Sequence, residues 1–90
     1  MNRHQYSALR HVEAGELLSH RGTWGGPPGY RWQGHDGEEA GVVPPWETEA
    51  LDALARQGLI ATERRRGPLH ARVTITPAGR AALAEPAYAA

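Results

Sequence analysis

The chain has no cysteine, no lysine and no phenylalanine. Without cysteine it can form neither a disulfide framework nor a thiolate metal site. Without lysine, its ten basic residues are all arginine, a usage that, with the many Ala and Gly, points to a GC-rich bacterial genome. Without phenylalanine, most of the aromatic core falls to Trp24, Tyr30, Trp32 and Trp46. The N-terminus carries no apolar leader, and no run is long enough to span a bilayer, which predicts a cytoplasmic protein without membrane contact. Ninety residues bound the chain to one domain. A core of that size stabilises only modestly, so a homodimer is expected, built from the first helix, the last helix or the aromatic segment between them.

The net charge is zero, but the charges are segregated. Residues 1–34 hold four Arg against two Glu. Residues 35–55 hold six acids, Asp36, Glu38, Glu39, Glu47, Glu49 and Asp52, and no Arg. Residues 56–80 hold six Arg against Glu63. Such a dipolar chain favours a local anionic contact without being basic throughout.

The hydrophobic spacing predicts a first helix over 4–19, with Tyr6, Leu9, Val12, Leu17 and Leu18 as its stripe. Gly15 weakens that helix by about 1 kcal/mol relative to Ala. Tyr30 and Trp32 alternate with Arg31 and Gln33, which predicts a strand. Trp24, across a Gly-Gly-Pro-Pro-Gly turn, is the expected partner. Residues 34–45 are Gly-, acid- and Pro-rich and read as a loop. Residues 46–57 read as a helix started by Pro44 and Pro45, with Glu47 and Glu49 in its first turn and Arg56 in its last. Ala50, Leu51, Leu54 and Ala55 form its buried stripe. Gly58 follows as the helix-ending residue, and Leu59 packs back.

The stretch "TERRRGPLHAR", 62–72, is the most informative. Leu69, Ala71, Val73 and Ile75 alternate with His70, Arg72, Thr74 and Thr76. A hairpin centred on Gly67-Pro68 pairs residues whose numbers sum to 135. Ile60 then faces Ile75, Thr62 faces Val73, and Glu63 faces Arg72 as an opposite-charge pair. Arg64 and Arg66 have core-side parity but lie beyond any core, so the hairpin projects. Thr76 is a good N-cap and Pro77 a good first residue for a last helix over 77–84. Pro86 ends it.

This order resembles a winged helix-turn-helix domain. The matching residues are "ALDALARQGLI" (50–60) and "ARVTITPAGRAAL" (71–83). In regulators of the multiple-antibiotic-resistance type and in small phage or plasmid regulators, a recognition helix runs into such a Gly-Leu-Ile strand, a basic wing and a Thr-x-x-Gly return. The resemblance implies an α+β fold: helix, short β ribbon, helix, β hairpin as the wing, helix. It covers a single winged-helix domain over 1–84, with 85–90 a frayed tail. It also implies a transcriptional regulator bound to double-stranded DNA, with no cofactor and no metal. The expected DNA contacts are Arg64, Arg65, Arg66, His70 and Arg72 on the wing, holding phosphates or entering the minor groove.

Two features depart from the family. Residues 34–45 leave little room for the helix that precedes a recognition helix, and the Gly-rich ribbon takes its place. The outer face of the presumed recognition helix carries Thr48, Glu49, Asp52 and Glu47. Carboxylates can accept from cytosine N4, but beside phosphates they repel. If DNA is held, the wing leads. The alternative is a winged-helix protein-interaction module, using Trp46, Glu47, Thr48, Glu49 and Asp52 on a basic partner. No serine sits in a nucleophile context and no phosphate-cradling glycine motif occurs, so no enzyme is expected. Pro-Pro-Gly-Tyr (27–30) reads as a turn, "HDGEE" (35–39) as a loop rather than a metal site, and His4 and His11 as surface histidines.

Overall fold

The computed structural model describes residues 1–20, 29–36, 39–63 and 70–84, with Glu39 and His70 described by their backbone alone. The first helix, α1 (Arg3–Glu13), is opened by a capping box. The Asn2 side chain accepts from the Gln5 backbone, and the Gln5 side chain accepts from the Asn2 backbone. Its apolar face is Ala8, Leu9 and Val12. The helix stops well before the expected residue 19. Gly15 takes φ +75°, its N–H donates to the Val12 carbonyl, and the Glu16 N–H donates to that of His11. This is the double closure of a Schellman motif, open to glycine because it lacks a Cβ. Leu17 and Leu18 therefore belong not to the helix but to a strand, β1 (Leu17–His20).

Next come β2 (Gly29–Gln33), β3 (Glu39–Val42), α2 (Pro45–Arg56), β4 (Ile60–Glu63), β5 (His70–Ile75) and α3 (Pro77–Ala84). The five strands make one antiparallel sheet in the order β3-β2-β1-β5-β4. The strand around Tyr30 is as expected, but its partners are β1 and β3. Trp24 lies outside the described residues. The loop expected over 34–45 contains β3, an edge strand whose register against β2 shifts between Arg31 and Gln33. The hairpin β4–β5 has the expected pairing: Ile60 with Ile75, Thr62 with Val73, Glu63 with Arg72.

Opposed residues in an antiparallel pair share a face. The pairings Leu17–Trp32 and Ser19–Tyr30, with the alternation along β5, put Leu17, Tyr30, Trp32, Val73, Ile75 and Ile60 on one side. The helices pack there. Ala8, Leu9, Val12, Leu17, Val43, Ala50, Leu51, Leu54, Ile60 and Val73 form the core. Each fully buried leucine contributes about 2 kcal/mol of apolar transfer. On the other face one row crosses all five strands: Val42, Arg31, Leu18, Arg72 and Glu63. Leu18 and Arg31 are buried, while Val42, Arg72 and Glu63 are exposed.

Helix α2 ends as α1 does: Gly58 takes φ +73°, and the Leu59 N–H returns to the Leu54 carbonyl. Thr76 then ties two elements together. Its hydroxyl donates to the Gly58 carbonyl at 2.7 Å and accepts from the Gly79 N–H at 3.1 Å, capping α3. Gly79 is buried because α3 runs tight against Leu59. A methyl group there would collide with the Leu59 carbonyl oxygen and with Ile75 Cγ1. That close approach is the physical meaning of the Thr-x-x-Gly pattern. Among the described residues, no helix is long and apolar enough to cross a membrane.

Candidate nucleic-acid interface

The hairpin β4–β5 carries the basic cluster read from the sequence. Arg72 stands on β5 with an exposed side chain, across from exposed Glu63. It belongs to the sheet face away from the helices. His70 lies on the same strand, two residues nearer the turn, and its backbone pairs with His20 of β1. Arg64, Arg65 and Arg66 lie outside the described residues. The side chain of Arg72 is therefore the described part of this cluster.

The other half of the expected site lies on α2, and the structure divides it. Glu47 does not join the outer face. It is fully buried, and its Oε1 lies 2.6 Å from His11 Nδ1. Glu47, Ala50, Leu51 and Leu54 are the buried residues of α2, and their spacing of three, one and three is one helix stripe. Ala55, expected in that stripe, is exposed instead. The other oxygen of Glu47, Oε2, is buried without a hydrogen-bond partner. His11 is thus not a simple surface residue. Its side chain keeps 34% of its exposure, and its ring meets Trp32 edge-on at 5.2 Å. One hydrogen bond pins α1 to α2 across the core.

Asp52 is exposed on α2 but is engaged with Tyr30 of β2. Burial raises the Tyr30 phenol above its ordinary value of 10.0, and the charge of Asp52 and the hydrogen bond to it push the same way. A neutral phenol donating to the carboxylate is the favoured state. Thr48 is partly buried, and Glu49 is exposed with no ion pair to a described residue. Trp46 is partly exposed, its ring 4.9 Å from that of His4. The four residues read as one acidic face are therefore a core residue, a strand-bound residue, a half-covered threonine and one exposed carboxylate.

On α1, Arg10 donates to the Tyr6 hydroxyl at 3.4 Å and lies 3.6 Å from Glu13. The Tyr6 hydrogen bond first, and then charge attraction to Tyr6 and Glu13, hold it more firmly protonated.

No family model, no curated protein and no solved structure matches this chain. The reading of the site rests on its own geometry.

Sequence reasoning missed the His11–Glu47 bond. The signal was the position of Glu47 on the stripe of Ala50, Leu51 and Leu54, overridden because carboxylates are rarely buried.

Proposed function

We propose that the chain is a winged-helix protein that grips double-stranded DNA with the β4–β5 hairpin. The observation that carries this reading is connectivity. A helix precedes β1, β5 lies between β1 and β4, α2 runs through a glycine into β4, and α3 follows β5. This order is compatible with a winged helix in which the β2–β3 ribbon stands where a helix-turn-helix has its first helix. The sequence places three consecutive arginines between the hairpin strands, and Arg72 adds an exposed charge on β5.

The burial of Glu47 supports the reading too. It takes one carboxylate off the outer surface of α2, and Asp52 accepts a hydrogen bond from Tyr30. The exposed carboxylate that faces the hairpin's described cation is then Glu63, paired across from Arg72. Such contacts position a protein without reading sequence, so generic duplex suffices as the probe. Fluorescence anisotropy with a labelled random duplex should give saturable binding at low salt. It should weaken when Arg72 is replaced by Ala and tighten modestly when Glu63 is replaced by Gln. Binding indifferent to both substitutions would refute the assignment of this surface. The rival reading, a protein-interaction module using the whole acidic face, is left without Glu47 on its surface.

A further inference from the structure

The first turns of α1 and α2 enclose a small cleft of about 120 Å³, lined by Asn2, His4, Gln5, Trp46, Glu49 and Ala50. Arg72, the described cation of the hairpin, does not line it. Its chemistry is narrow. Each amide oxygen already accepts one hydrogen bond, since Asn2 Oδ1 takes the Gln5 N–H at 2.8 Å and Gln5 Oε1 takes the Asn2 N–H at 3.3 Å. The two amide NH2 groups offer N–H donors. The cleft holds one carboxylate, Glu49, which is exposed and makes no ion pair with a described residue. Beside it stands a partly exposed indole, Trp46, with the His4 ring tilted against it at 39°.

An indole next to an exposed carboxylate suits a flat cation. A guanidinium can stack on the ring and present two parallel N–H groups to the carboxylate, which an ammonium cannot do. The amide donors of Asn2 and Gln5 suit peptide carbonyls on either side of that side chain. We propose that this cleft is a docking site for an arginine carried by a peptide segment of a protein partner. The assignment is independent of the DNA reading. It concerns a different surface, and its charge has the opposite sign from the wing.

Titration of the ¹⁵N-labelled chain with the peptide Gly-Arg-Gly, and in parallel with Gly-citrulline-Gly, tests it. Citrulline keeps the shape and removes the charge. The Trp46 indole N–H signal is assigned by its disappearance in Trp46→Phe. That signal and the Glu49 amide should shift saturably with the arginine peptide and stay in place with the citrulline peptide. Glu49→Gln, at an exposed position, should retain the amide spectrum of the folded protein and weaken binding by about tenfold, the scale of one charge-assisted hydrogen bond. Equal response to both peptides, or undiminished binding by Glu49→Gln, would overturn the proposal. Shifts of the Trp46 signal with protein concentration alone would also overturn it, by showing a second copy in the cleft.

Discussion

Glu47 is the residue on which the account of α2 turns. A carboxylate with no exposure is costly to bury, and here one hydrogen bond between its Oε1 and His11 offsets part of that cost. Replacing His11 by Ala leaves the carboxylate without its partner and should destabilise the fold by about 2 kcal/mol. Replacing both His11 and Glu47 by Leu should cost clearly less than the sum of the single changes, because no polar atom is then stranded. Urea denaturation of the four proteins measures this; strict additivity would show that the bond does not couple α1 to α2. Tyr30 gives a second prediction. Its phenol titrates higher in the folded chain than in the unfolded one, mainly through burial and then through Asp52. The folded state therefore holds the proton longer, and the resulting stability is complete below the ordinary value of 10.0 and falls as pH rises above it. Tyr30→Phe should remove that part of the alkaline loss, read as a shallower decline of urea midpoint with pH.

At the scale of elements, legibility followed burial pattern. The hairpin β4–β5 could be read to the residue because one of its faces is buried, and a slip by one would turn Ile60 and Val73 outward. Strand β1 could not. Leu17 and Leu18 point to opposite faces yet both are fully buried, so no alternation shows, and a pair of leucines reads equally well as helix. Strand β3 was hidden for the opposite reason: Ala40, Gly41 and Val42 are all exposed, leaving no buried face to set a period. The two helix-ending glycines and Gly79 differ in kind. A Cβ at Gly58 meets nothing, so Gly58→Ala carries the strain of a positive φ alone, about 1 kcal/mol. A Cβ at Gly79 meets the Leu59 backbone oxygen, and α3 must move off the sheet to admit it. Gly79→Ala should therefore destabilise by about 2 kcal/mol, despite the better helix propensity of Ala. Equal or greater stability of Gly79→Ala in thermal unfolding would contradict the close approach of α3 to Leu59.

For the whole molecule, a neutral total conceals two regions of opposite charge along the chain, and folding redistributes them. The acidic third surrenders Glu47 to the core and ties Asp52 to a strand, whereas Arg72 of the basic third stays exposed on the sheet. The sequence made the pairing of β4 with β5 legible, but it exaggerated the acidity of α2 because composition does not reveal which carboxylates turn inward. The central claim is that the arginine-bearing hairpin binds phosphates. Anisotropy of a labelled generic duplex, repeated across a salt series, tests it most directly. The account predicts a linear fall of log affinity with log salt. It also predicts a slope that shrinks by about 0.9 for each phosphate no longer neutralised when Arg64, Arg65 and Arg66 become Ala. No detectable binding at about 50 mM salt, where such electrostatic binding is strong, or a slope unchanged by the triple substitution, would contradict it.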